Sequence, residues 1–411
     1  MTNAVAKAQT GDTILVEGGT YELSPKYSAS LVVSQPITIK GGMLKIPGSN
    51  EESVSSENPY SIFDAKNTIG YAFYVDTATA GTDWNVFERC VFTRGSTRGF
   101  YKSGKASLKL IDCEIRDNGN GTGGGRSGLG GYFSGDAAAS YLVLSNSVIA
   151  GNVNMASKAT WVNTYGIGLY LENYKQVTLY NCSFLTNGIP LSSSYNFAAN
   201  GQYAQGSAIY AKNIFLDATK CKFIANKMSG RQHNLGGVRD AYYQWGGIIR
   251  LENTAAQFNK SIFLANATIG GSGKGTYDGT IVVNSSGKTC VIDGCTFAFN
   301  IADTTSGSAG IRMQAGTLNI RNTIFANNIV GSLAAYGCDL HLVGGVVNIE
   351  YSMFGGDGSR YLSTQSGNGI NIGEGVVYGD AKLVSGVSAF ADIITKEISE
   401  EFPVVDTGVN L

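Results

Sequence analysis

Proline is scarce in this chain, six residues in 411, and so is charge, with Asp, Glu, Lys and Arg making up only 15%. Few prolines beside 55 glycines suit a chain with many turns and no helix punctuation. Few charges beside 43% apolar residues exclude a disordered chain and allow a long, narrow core. The net charge of −1 leaves no electrostatic footprint for nucleic acid or for an acidic membrane. No apolar run approaches the roughly twenty residues a membrane-spanning helix needs. No signal peptide opens the chain, as expected of a cytosolic protein or of a mature, trimmed one, and the features below favour the second. No CxxC and no Cys/His cluster has zinc spacing, so neither metal nor cofactor is expected; calcium stays open, without a motif to hold it.

What the chain has in abundance is one pattern. Val177–Asn187 reads VTLYNCSFLTN: alternating apolar positions, a turn residue, a small residue, an apolar residue two further on and a closing Asn. Copies follow the same grammar at Leu108–Asn118, Leu142–Asn152, Leu216–Asn226, Ala256–Asn266, Cys290–Asn300, Leu318–Asn328 and Val347–Asp357, with a weaker one at Asn85–Gly95. The small anchors Cys90, Cys113, Ser147, Cys182, Cys221, Ser261, Cys295, Thr323 and Ser352 are spaced by 23, 34, 35, 39, 40, 34, 28 and 29 residues. A period that stretches by insertion is what a solenoid shows, since each unit buries its apolar face only by stacking on its neighbours. The apolar period within a copy is two, so the units are strands. At the Asn181–Cys182 type of junction the phase slips by one, which an Asn in the left-handed region can provide.

A third strand, usually opened by Gly, precedes each unit, as in GIGLYLEN (Gly166–Asn173), GSAIYAKN (Gly206–Asn213) and GGIIRLEN (Gly246–Asn253). Its distance to the next anchor is nearly constant, so the large insertions all leave one corner, between the closing Asn and the Gly-led strand. The expected fold is therefore all-β: a single-stranded parallel β-helix of about twelve rungs with an N-terminal cap. Residues 1–42 are read as the cap and first rungs, 43–375 as the repeats and 376–411 as a closing segment. The cap comprises a short Ala-rich helix, a Gly11–Asp12 turn and two or three strands. Asn173, Asn213 and Asn253 are expected to form an amide ladder. Glu172, Lys212 and Glu252 beside them read as a surface charge ladder, not a catalytic carboxylate pair.

Five of the seven cysteines occupy the anchor slot, where Ser and Thr also occur, and are read as stacked reduced thiols. Bridges between adjacent strands at Cys90–Cys113 or Cys182–Cys221 are the alternative, because strands about 4.8 Å apart lie within disulfide range.

The opening GDTILVEGGTYEL (Gly11–Leu23) with PITIKGG (Pro36–Gly42) resembles right-handed β-helix proteins of the pectin-lyase-like superfamily. The N-C-[ST]-F-x-x-N units resemble the FxxN and GGAI repeats of polymorphic outer-membrane adhesins. GDAKLVSG (Gly379–Gly386) and EFPVVDTGVN (Glu401–Asn410) resemble the closing segments of secreted bacterial β-helix proteins. The resemblance implies a right-handed coil and a secreted or surface-displayed bacterial protein. The Asn-Thr-Asp, Asp-Asp and Gly-His-Gly motifs of polygalacturonase-like members are missing, as is the Trp-Ile-Asp-His segment of pectate-lyase-like members. An activity would rest on fold analogy alone.

The insertions carry the candidate site. They contribute Trp161, Tyr165, Tyr195, Tyr203, Tyr242, Tyr243, Trp245 and Tyr277 from one corner of consecutive rungs. Aromatic faces pack against sugar C–H faces while polar neighbours take up hydroxyls, so a glycan-binding, adhesin-like groove centred on Tyr242 and Trp245 is expected, in a monomer whose partner is a polysaccharide. The same aromatics would also serve as a small core for loops of this length. The alternative is a lyase or glycoside hydrolase acting on a uronate-containing polysaccharide, with Arg231, His233, Arg239, Asp240 or Tyr242 in the reaction.

Overall fold

The computed structural model describes residues 2–23, 31–44, 53–77, 83–119, 127–154, 164–188, 204–230, 246–270, 279–302, 308–330, 339–356, 362–364, 369–379 and 381. Within them the chain is all-β with one short helix, Thr2–Lys7, whose neighbours Val5 and Ala8 pack on the near end of the core. The strands form long parallel sheets of 21 and 12 strands, the architecture a parallel β-helix builds. The N-terminal stretch holds four strands (Thr13–Glu17, Gly19–Glu22, Leu31–Val33 and Thr38–Met43) where the sequence suggests two or three.

Three parallel ladders explain the repeat. The first half of each eleven-residue unit pairs with its counterpart in the next, as Leu142–Leu144 with Val177–Leu179 and then Leu216–Ala218. The second halves form the 12-stranded sheet, in which Phe184 pairs with Phe223 and Phe223 with Phe263. The Gly-led strands form the third ladder, as Leu169–Glu172 with Ile209–Lys212 and Ile249–Glu252. The first and third ladders merge because Ile281–Asp293 and Ile311–Arg321 each run straight through both. The first ladder extends upstream of the eleven-residue units. Thr13–Glu17 and Thr38–Met43 already precede the unit at Asn85–Gly95 in the first ladder.

Between the two strands of each unit the chain turns through the left-handed region, at Asp112 (φ 51), Asn146 (49), Asn181 (52), Lys220 (57), Lys260 (51) and Asn322 (52). One such residue per unit turns the following side chain inward, which is the phase slip seen in the sequence. The anchors that follow are buried in one column: Cys113, Ser147, Cys182, Cys221, Ser261, Cys295 and Thr323 are each at most 2% exposed. Their polar tips are satisfied locally: the Cys113 Sγ donates to Ile111 O at 3.3 Å and the Ser147 hydroxyl to Ser145 O at 2.9 Å. A second column stacks Phe184, Phe223, Phe263, Phe297, Phe325 and Phe354 with centroids 4.3 to 5.0 Å apart.

Six cysteines are free and buried, including both members of each candidate bridge; Cys338 lies outside the described residues. Thiol titration of the denatured, unreduced protein is expected to count at least these six. Any lower count reveals a bridge and overturns the stacked-thiol column.

The closing Asn of each unit turns out to be the inner spine of the protein. Asn118, Asn152, Asn187, Asn226, Asn266, Asn300 and Asn328 are at most 4% exposed. Each donates Nδ2 to the next one's Oδ1, for example Asn152 to Asn187 at 2.8 Å and Asn187 to Asn226 at 3.0 Å. The same Nδ2 also donates to a backbone carbonyl of the preceding unit, as Asn226 does to Phe184 O at 2.9 Å. The chain ends where Asn328 donates to buried Asp339 at 2.8 Å, a carboxyl that burial pushes up to about 7. The expected outer ladder exists too, with Asn253 donating to Asn213 at 2.9 Å and Asn213 to Asn173 at 3.3 Å. Glu172, Lys212 and Glu252 beside it share one register position, and both carboxylates also engage other partners, described below.

A candidate ligand-binding face on the Gly-led strands

Alternation along each Gly-led strand sends one side chain inward and the next outward. Register puts a single outward column at Tyr74, Tyr101, Tyr132, Tyr170, Tyr210, Arg250, Val282, Arg312 and His341. The signal was in the sequence, as the second residue of LYLE, IYAK, IRLE and IRMQ, where an otherwise apolar strand carries Tyr or Arg.

The tyrosines stack like coins. Tyr101 and Tyr132 lie 5.1 Å apart, Tyr132 and Tyr170 4.9 Å at 4°, and Tyr170 and Tyr210 5.3 Å at 8°. Their faces are spent on one another, so they offer hydroxyl edges and not platforms. At the near end the Arg98 guanidinium lies 4.9 Å from the Tyr132 ring and 5.1 Å from that of Tyr101. Glu172 gathers two of the hydroxyls: Tyr132 donates to its Oε1 at 2.6 Å and Tyr170 to its Oε2 at 2.9 Å. Burial, and after it the Glu172 carboxylate, push both phenols well above their ordinary value. Burial and then Glu252 do the same to Tyr210. These hydroxyls keep their protons at neutral pH and donate.

Beyond Tyr210 the column becomes cationic. The Arg250 Nε donates to Glu252 Oε1 at 2.6 Å, and Asn284 donates to the other carboxylate oxygen at 2.8 Å. Arg312 Nη1 lies 3.4 Å from His341 Nδ1. Arg250, Arg312 and His341 are at most 3% exposed although they stand on the outer side of the sheet. Short parallel ladders border this face where the insertions begin and end: Lys227–Gly230 with Ala267–Gly270, and Thr164–Tyr165 with Ala204–Gln205.

Of the glycan-binding candidates named from the sequence, Tyr165 alone lies among the described residues. Its ring packs on Tyr210 at 5.0 Å and 50°, which joins it to the column. Trp161, Tyr195, Tyr203, Tyr242, Tyr243, Trp245 and Tyr277 lie outside them, as do the catalytic candidates Arg231, His233, Arg239 and Asp240. No group of three or more metal-binding side chains occurs among the described residues. No helix among them is long and apolar enough to cross a membrane.

No family model and no curated protein matches the chain. Among solved structures, the chain is similar to a mutant DFA-IIIase from Arthrobacter chlorophenolicus A6, at 13% identity over 88% of this chain and 91% of that one, with a TM-score of 0.31.

Proposed function

We propose that the protein is a secreted or surface-displayed bacterial right-handed parallel β-helix, of about twelve rungs with an N-terminal cap, that binds a polysaccharide along its Gly-led face as a monomer in the manner of an adhesin. The observation that carries the reading is the outward column from Tyr74 to His341, in which tyrosine hydroxyls and then arginine guanidiniums share one register along the axis, with Glu172 and Glu252 two positions further along their strands. A linear polymer of hydroxylated rings laid along that axis would meet a hydrogen-bonding side chain at every strand of the column but that of Val282, at spacings of about 4.8 Å. Of the insertion aromatics, which lie outside the described residues apart from Tyr165, Trp245 and Tyr242 are the ones proposed to contribute most to that binding.

A polysaccharide array tests this. The parent is expected to retain at least one polysaccharide, and Trp245→Ala and Tyr132→Phe to weaken retention at least about tenfold with the melting temperature nearly unchanged. If the array stays blank, or a uronate polysaccharide is turned over with a rising absorbance of unsaturated product, the binding reading fails.

A further inference from the structure

The neighbouring face, on the first halves of the repeat units, carries a hollow of about 390 Å³ lined by Val291, Asn319, Ile320, Arg321, Asn348 and Glu350. We infer that this hollow is a second carbohydrate site, selective for neutral oligosaccharides. It stands on residues of its own and does not rest on the polysaccharide reading of the Gly-led face.

The floor is a rail of amides. Val291, Asn319, Asn348 and Asn371 share one outward register position. Asn371 donates to Asn348 at 2.8 Å and Asn348 to Asn319 at 2.7 Å. Each rail amide that donates one N–H in this way has a second N–H, and the Asn371 carbonyl closes the rail as an acceptor. Two residues further along the strands, Asp293, Arg321 and Glu350 share the next outward position. The Arg321 Nε donates to Asp293 Oδ2 at 2.9 Å and Asn322 to its Oδ1 at 2.8 Å, so Asp293 is engaged and the guanidinium fork is held in place. Among the described residues the Glu350 carboxylate has no hydrogen bond or ion pair of the kind that holds Asp293, and it is exposed.

This set fits a neutral sugar. Vicinal hydroxyls both give and take hydrogen bonds, and the hollow places donors (rail amides, Arg321) beside acceptors (rail carbonyls, Glu350) within about two strand spacings, roughly 10 Å, the length of two to three sugar rings. Val291 supplies an apolar patch for a C–H face. One arginine against two carboxylates makes the local charge −1, which repels a uronate or a sulfated chain. The Gly-led face differs in carrying Arg250, Arg312 and His341, with Val282 between the two arginines.

The test titrates the full chain with cellotriose, maltotriose, mannotriose and galactotriose, and with trigalacturonate as the acidic probe, by saturation-transfer NMR and calorimetry. At least one neutral trisaccharide is expected to bind, with trigalacturonate failing to displace it. Glu350→Gln, at an exposed position, is expected to weaken binding about fivefold to tenfold, and Asn348→Leu to abolish it. Lys222→Gln, exposed on the 12-stranded sheet, should leave it unchanged. The inference is overturned if no neutral trisaccharide binds up to about 10 mM, if Glu350→Gln binds as the parent does, or if trigalacturonate competes.

Discussion

Asn226→Leu is expected to lower the stability of the repeat region by about 4 kcal/mol, whereas Asn213→Leu, in a ladder of the same residue type, should cost only about 1 kcal/mol. The Asn226 Oδ1 accepts from both the backbone N–H of Asn187, at 3.1 Å, and its Nδ2, at 3.0 Å. The Asn226 Nδ2 donates to Phe184 O at 2.9 Å and to Asn266 Oδ1 at 3.1 Å. Leucine removes all four bonds where no water enters, and a buried polar group without its partner costs about 1–3 kcal/mol. The damage passes to both neighbouring units, because each amide orients the next. Asn213 loses two partly solvated bonds, and its φ of 54° adds the strain of a side chain in the left-handed region. Denaturant midpoints of the two variants, measured side by side, decide the matter. Similar losses would mean that the inner spine contributes no more than an exposed ladder.

The parts of the fold that were legible in the sequence are those in which one residue type repeats at one slot. Cys113, Ser147, Cys182 and their successors share size and position, so their inward column and the left-handed turn before it follow from spacing alone. The closing Asn was visible as a repeat, but its direction was not. A polar residue at a strand end reads as a turn on the surface, and only the stacking of identical amides, each satisfying the next, makes burial affordable. Gly19–Glu22 and Ser61–Asp64 lack the N-C-[ST]-F signature yet pair in the same sheet as the later units, because pairing follows the backbone and not the anchor residue. The outward column on the Gly-led face was missed for a different reason. Tyr170 and Tyr210 stand among apolar residues in LYLE and IYAK, and period-two reasoning assigns a tyrosine to either side of a sheet. Register across strands, from Tyr74 through His341, is what aligns them, and insertions of varying length hide that register in a linear sequence.

The same register buries a charge. Lys102, in RGFYKSG, looks like a surface residue, but it shares its inward position with Val75, Phe133, Leu171, Ala211 and Leu251 and has no exposed surface. Its ammonium donates to Gly104 O at 2.7 Å and Ser134 O at 3.0 Å and lies 5.0 Å from the Tyr174 ring. Among the described residues no carboxylate touches it, and Asp76 acts only at a distance, so burial pulls its pKa from 10.5 down to about 7. Lys102 therefore holds its proton less tightly folded than unfolded. Between pH 7 and 10.5 the unfolded chain carries more protons, and stability climbs with pH through that window. At the alkaline end the buried thiols oppose it: burial raises Cys290 and Cys295 to about 12, so their contribution is lost as pH rises through the ordinary thiol range toward that value. The lysine's share is isolated by comparison with Lys102→Met. The stability difference, parent minus variant, is expected to rise by about 3 kcal/mol from pH 7 to pH 9, two pH units at 1.36 kcal/mol each. At pH 6, where the parent must bury a full charge, the methionine variant should be the more stable of the two. Denaturant unfolding at four or five pH values measures both. A difference that stays flat across pH 7 to 9 would mean that the ammonium reaches water in the folded protein and that Lys102 is not sealed within the sheet stack.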